Sequence, residues 1–213
     1  MLIRWHGHAC FEFEDSGVTV LTDPHDGKSI GIKPPVSSAG VVLVSHNQYD
    51  HNAVRVVRGE HEDVVAEPGK RNIRGIDIEG FSTFHDEEGG TLRGSNVMYR
   101  FEMDGISVCH CGDLGDIPSD ETMDELKGTD IVFVPVGEVY TIPLPKLLQF
   151  LERIGAKVVV PMHYRVGGLT IPLNNIDAFM ENVPKEAAVY VGNEVELSAE
   201  DLAEFSGVWV FDR

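Results

Sequence analysis

The stretch Ser45-His46-Asn47-Gln48-Tyr49-Asp50-His51-Asn52 puts two imidazoles and a carboxylate within six residues, directly after the apolar run Val41-Val42-Leu43-Val44. Imidazole nitrogen and carboxylate oxygen are borderline ligands that suit zinc, manganese or iron, and a loop held by a buried strand is a rigid place to mount them. Three later polar islands, Phe84-His85-Asp86, His110-Cys111-Gly112-Asp113 and Pro161-Met162-His163-Tyr164, also sit at or near the ends of apolar runs. Strands that end together would bring all four islands to one sheet edge. A catalytic metal needs neutral imidazoles and ionised carboxylates to hold it and one open position for water, whose pKa then falls towards ~7. The bland alternative for His46, Asp50 and His51 is a solvated loop that caps a helix.

These islands resemble the metallo-β-lactamase superfamily, whose His-x-His-x-Asp-His is followed by a lone His, by Gly-Asp and by a C-terminal His after a strand. Here the pattern reads His46-Asn47-Gln48-Tyr49-Asp50-His51, then His85, Gly112-Asp113 and His163, with Trp5-His6-Gly7-His8-Ala9-Cys10 at the start similar to a small lactonase-like and uncharacterised hydrolase branch. The resemblance covers nearly the whole chain. It implies an α+β fold, a four-layer αβ/βα sandwich of two mixed β-sheets with helices outside, as a single domain over 1–213. It also implies a metal-dependent hydrolase that delivers metal-activated hydroxide to a small ester, lactone or phosphoester. His46 and His85 would form one metal position, Asp50, His51 and His163 a second, and Asp113 would bridge them, with Zn2+ as one or two ions and Mn2+ or Fe as substitutes.

One position departs: Gln48 stands where the pattern has its second His. An amide oxygen is a harder and poorer zinc donor than imidazole, so the second position should be the tighter. Three readings stay open: a mononuclear enzyme, a binuclear one with a labile or harder first ion held partly by Gln48, or a degenerate site in a non-catalytic metal-binding or regulatory protein. Asp50 is the candidate to orient or deprotonate the attacking water, and His110 the candidate proton donor to the leaving group. Asp23 and His8 are candidates to orient ligands or touch substrate, as are Arg93 and Arg165, whose guanidinium groups would pair with a phosphate or carboxylate. The alternatives are a turn carboxylate for Asp23, a packed core His for His8 and solvated surface residues for both arginines.

The elements that must carry these residues are legible in outline. Leu2 to Trp5, Cys10 to Glu14 and Val18 to Thr22 read as a meander, ended by Asp23-Pro24, and Lys28 to Ala39 as a loop over the site. A brief helix capped by Asn52 follows the first island, and Val64 to Ala66, Ile73 to Ile78 and Phe81 to Phe84 read as a second meander separated by glycines. Asp104-Gly105 marks a hairpin between Asn96–Glu102 and Ile106–Cys109. Asp120 to Leu126 reads as a helix, Ile131 to Val136 as a buried strand with Pro135 at its end or on an edge, and Leu144 to Ile154 as a helix stopped by Gly155. The strand Lys157 to Val160 completes a right-handed βαβ unit. Ile176 to Glu181 reads as a further helix, and Ala188 to Val191, Glu194 to Leu197 and Val208 to Phe211 as closing strands.

The composition bounds the function. The chain has 213 residues, 42% of them hydrophobic, and a formal net charge of -18, a field that opposes nucleic acids and acidic membranes while leaving a local cationic centre able to take a small anionic molecule. A small-molecule substrate is therefore expected, with no membrane partner. Three cysteines, two of them in Cys109-His110-Cys111, do not make a disulfide framework, which together with the absence of a long apolar run leads to a cytoplasmic expectation.

Overall fold

The computed structural model describes residues 1–203 and 205–212. Its strands are β1 (Leu2–Gly7), β2 (Cys10–Asp15), β3 (Val18–Thr22), β4 (Val41–Val44), β5 (Glu62–Val65), β6 (Gly69–Ile73) and β7 (Ile76–Phe84), then β8 (Ser95–Met103), β9 (Ile106–His110), β10 (Ile131–Pro135), β11 (Val158–Met162), β12 (Ala188–Tyr190), β13 (Glu194–Glu196) and β14 (Gly207–Val210). The helices are α1 (Asp120–Leu126), α2 (Leu144–Ile154), α3 (Asp177–Met180) and α4 (Ala199–Ala203). One sheet runs β13-β1-β2-β3-β4-β5 and the other β12-β14-β11-β10-β9-β8-β7-β6. Both are mixed.

The alternation in β1 buries Ile3 and Trp5 on the inner face, whereas β4, parallel to both β3 and β5, buries all four of its residues. β10 is likewise flanked by parallel β9 and β11 and wholly buried, with Pro135 at its C-terminal end, where the missing N–H costs least. Phenylalanines tie the sheets together. Phe13 of the first sheet meets Phe101 and Phe133 of the second edge-on at 5.0 and 5.2 Å, and Phe11 meets Phe133 at 4.6 Å. Such pairs add about 0.5–1.5 kcal/mol each beyond the area they bury.

Antiparallel pairing of β1, β2 and β3 makes β1 parallel to β3 and β4, and the pairing of β7, β8 and β9 makes β7 parallel to β9 and β11 in the same way. The C-terminal ends of six strands therefore share one edge of the sandwich. His8, Asp23, His46, His85, Asp113 and His163 each lie just beyond one of those ends.

Several local expectations change. After the first island there is only a 3-10 turn, Val54–Val56, and Asn52 donates through its side chain to Asn47 at 2.8 Å instead of capping it. Ile73 to Ile78 is not one strand: Arg74 and Gly75 adopt φ 52 and 85 and turn β6 back onto β7. Gly80 does not interrupt β7, because the residue serves a close approach; a Cβ there would lie 2.7 Å from the Glu67 carbonyl. The loop from Lys28 contains the 3-10 turn Lys28–Ile30, and Thr170 N–H donates to the Ile30 carbonyl at 2.9 Å, so the two loops flanking the site edge are joined.

Candidate metal centre

The islands are held by backbone features that few residue types tolerate. His8, Asp23 and His163 have φ of 56, 40 and 52, the left-handed region that costs a side chain about 1–2 kcal/mol and is retained where the surroundings over-determine it. Gly112 precedes Asp113 with φ 54, and a Cβ on it would lie 2.4 Å from Ser45 Cβ and 2.5 Å from Asn96 Oδ1. The Gly-Asp pair thus lets the β9 island press against the β4 island. Asn96 Oδ1 then accepts the Asp113 N–H at 3.0 Å, while its amide donates to Thr83 Oγ1 and the Cys111 carbonyl.

Asp113 is the centre of the arrangement. Its Oδ2 lies 3.2 Å from His163 Nε2, 3.3 Å from His85 Nε2, 3.4 Å from His51 Nε2 and 3.8 Å from His46 Nε2. Beside it, Asp50 Oδ2 lies 3.2 Å from His8 Nε2 and 3.6 Å from His51 Nε2. Ligand atoms fall into two mutually close groups, His46, His51 and Asp113 in one and His8, Asp50, His51 and His163 in the other. Metal bonds of ~2.0–2.1 Å at tetrahedral angles set donor atoms about 3.3 Å apart, close to most of these separations.

Hydrogen bonds fix which nitrogens face inward. Asp23 Oδ2 accepts from Ser45 Oγ at 2.7 Å and from His51 Nδ1 at 3.0 Å, and Ser45 Oγ in turn accepts from His46 Nδ1 at 2.9 Å. With Nδ1 engaged in both rings, the Nε2 atoms of His46 and His51 face the centre. Those two Nε2 atoms, and Oδ1 of Asp50 and Asp113, are buried and make no hydrogen bond among the described residues. Orphaned buried polar atoms are costly, and here they are the atoms a metal would satisfy, so the residues fit such an ion.

The electrostatics favour a cation in the same place. Burial lowers the His51 pKa, yet Asp113, Asp50 and Asp23 together hold it well above the usual imidazole value. Burial raises the Asp113 carboxyl, but His163 and His51 hold it well below the carboxylate range, and Asp50 is lowered against burial by His51 and His8. Burial, with His51 adding, pushes His46 down to about 4, so that ring is neutral at pH 7.

The remaining sequence candidates lie further out. His110 donates from Nε2 to the Ala9 carbonyl at 2.8 Å and accepts the Gly112 N–H at Nδ1, so both ring nitrogens are engaged in a fully buried position behind Asp23. That geometry suits packing and orientation and not donation to a leaving group. Gln48 is half-buried on the turn, and its carbonyl accepts from the His51 and Asn52 N–H groups. Arg93 is exposed with its guanidinium 5.5 Å from the Tyr140 ring, and Arg165 is exposed. Cys10, Cys109 and Cys111 are buried thiols.

Three supporting residues carry roles the sequence reading did not assign. Ser45 links Asp23 to His46, Asn96 positions Asp113, and Asp86 accepts the N–H groups of Glu88, Gly90, Leu92 and Arg93, shaping the loop after His85. An amide at the start of the apolar run Val97-Met98-Tyr99 was the available signal for Asn96.

A metal-dependent hydrolase from Methanopyrus kandleri is 31% identical over 193 residues, covering 77% of this chain and 84% of that one. Another from Archaeoglobus fulgidus is 27% identical over 202 residues, covering 81% and 85%. A solved Thermotoga maritima structure of the metallo-β-lactamase superfamily superposes with a TM-score of 0.81 at 34% identity, over 99% of this chain and 97% of that one. The two mixed sheets with few helices are thus the α+β sandwich of that superfamily. The family model described as the beta-lactamase superfamily domain matches residues 2–163, and the chain belongs to that family.

Proposed function

We propose that this protein is a metal-dependent hydrolase of a small ester, lactone or phosphoester. The observation that carries the reading is the convergence of four imidazole Nε2 atoms on Asp113 Oδ2, with buried donor atoms that no group among the described residues satisfies. The relatives named metal-dependent hydrolases support it. His46, His85 and Asp113 would hold one ion and Asp50, His51 and His163 another. Zinc suits this mixture of imidazole and carboxylate best.

When bound, such an ion polarises a carbonyl or phosphoryl oxygen and lowers the pKa of water. The chain's own groups do the rest. Asp50 keeps Oδ1 unpaired while Oδ2 faces His8 and His51, so Oδ1 is the atom to accept the proton of the attacking water. Asp23, through Ser45 and His51, holds two imidazoles in the ligating tautomer. Arg93 and Tyr140, paired at the surface, would meet an anionic group on the substrate. The net charge of -18 disfavours nucleic acid as substrate, and the buried thiols fit a reducing, cytoplasmic setting. Among the described residues no helix is long and apolar enough to cross a membrane.

A second reading, a metal-binding protein without catalysis, is motivated by Gln48. Elemental analysis of protein purified without chelator, followed by a hydrolysis panel of esters, lactones and phosphodiesters, separates the two. Turnover abolished by Asp113→Ala is expected. Stoichiometric metal with no turnover on any substrate, and turnover gained in Gln48→His, would favour the binding protein.

A further inference from the structure

We propose that His8 is a metal ligand, closing the position formed with Asp50, His51 and His163 into a four-ligand site for a zinc-like ion and leaving the position at His46, His85 and Asp113 as the open, reactive one. This rests on the metal-dependent reading above and assigns different tasks to its two positions.

Three observations carry it. First, His8 Nε2 lies 3.2 Å from Asp50 Oδ2, and the ligand atoms of His8, Asp50, His51 and His163 all lie within 4.8 Å of one another. The ring sits 4.3 Å from that of His163 and 5.0 Å from that of His51, centroid to centroid. Second, the backbone is strained to put the ring there. Gly7 and His8 take φ of 97 and 56 in the turn between β1 and β2, where Gly or Asn would be the low-cost choice at both positions. The His8 carbonyl is tied down by Trp5 Nε1 at 3.2 Å and by the N–H of His163 at 3.3 Å, and His163 is itself left-handed. Two strained histidines are thus bonded to each other and aim their rings at the same point. Third, His8 is fully buried with Nδ1 making no hydrogen bond among the described residues, the pattern also seen for His85 and His163.

The consequences follow from coordination chemistry. Three imidazoles and one carboxylate select zinc-like ions over magnesium or manganese, which take more oxygen ligands in octahedral sites. Four protein ligands leave no place for water, the mark of a structural position, whereas three protein ligands beside Gln48 leave one. Gln48 removes an imidazole from one position and His8 adds one to the other. The rival role for His8 is a hydrogen-bond donor to Asp50 that touches no ion.

The test uses the full chain with 15N-labelled histidine and one equivalent of 113Cd2+, read by NMR. Coupling of the bound cadmium to three imidazole nitrogens, one lost in His8→Asn, is expected; Asn tolerates the left-handed backbone, so the turn is kept. The same substitution should weaken cadmium binding more than about 100-fold, beyond the 10–100-fold typical of residues that only orient a ligand. Cadmium coupled to two imidazoles in the unsubstituted protein, with a protonated His8 Nε2, would overturn the inference while leaving the hydrolase reading intact. Failure to bind cadmium at all would overturn both. The unsubstituted protein answers the main question without any variant having to fold.

Discussion

Two polar regions lie at different places on the sandwich, and they handle their charges in opposite ways. A groove of about 670 Å³ runs beside β6, β7, β8 and β9 and is lined by Lys70, Arg71, Arg100 and Lys127. There each cation has a carboxylate: Lys70 and Arg100 pair with Glu79, Arg71 with Glu67 and Lys127 with Asp124. At the metal edge, by contrast, His46 Nε2, His51 Nε2 and Oδ1 of Asp50 and Asp113 are buried without a hydrogen bond among the described residues. The groove is an open feature whose cations are already paired. Unmet hydrogen-bonding capacity under burial marks the place built to receive something.

The sharpest break of that contrast is Asp113→Ala, which removes the oxygen shared by four imidazoles; hydrolysis should fall by more than about 100-fold and the protein should lose metal by elemental analysis. Asp23→Asn should weaken metal binding by about 10–100-fold, measured by competition with a chromophoric chelator, because Asp23 accepts at both oxygens, the Ser45 N–H at Oδ1 and Ser45 Oγ and His51 Nδ1 at Oδ2, and an amide accepts at one only. Adding zinc to stripped protein at about 100 times its Kd should stabilise the fold by about 2.7 kcal/mol, a rise in Tm of roughly 5–10 °C by calorimetry for a chain of this size. Because carboxylates raise the His51 pKa above the ordinary imidazole value, the stripped protein holds a proton there at neutral pH that the ion must displace. Metal affinity should therefore rise with pH through that region, and calorimetry in two buffers of different ionisation enthalpy should show proton release. The smallest effect belongs to the groove. Lys127→Ala should leave metal content and turnover unchanged and shift stability by about 0.5 kcal/mol or less, since both partners of its ion pair are well exposed. A clear loss of turnover there would end the contrast.

The strands β4, β10 and β11 and the helix α2 were readable because each depends on local pattern: continuous apolar runs, helical spacing and a left-handed Gly155 cap. The break at Arg74-Gly75 and the continuity through Gly80 were not, because one turn is set by strand pairing and the other glycine by the approach of Glu67. The same division holds for the site. Residue types and spacing marked four polar islands at strand ends, and the family resemblance made His46, Asp50, His51, His85, Asp113 and His163 a candidate ligand set and Gln48 conspicuous. They left His8 undecided between core and site, and they were silent on Asn96 and on the link from Asp23 through Ser45 to His46. Tertiary structure set where those residues stand, since six parallel strand ends from two sheets must meet before distant side chains can share one buried edge. Spacing along the chain carries ligand identity, but tautomer, orientation and the closing of a coordination position depend on which backbone lies opposite, and only the packed fold sets that.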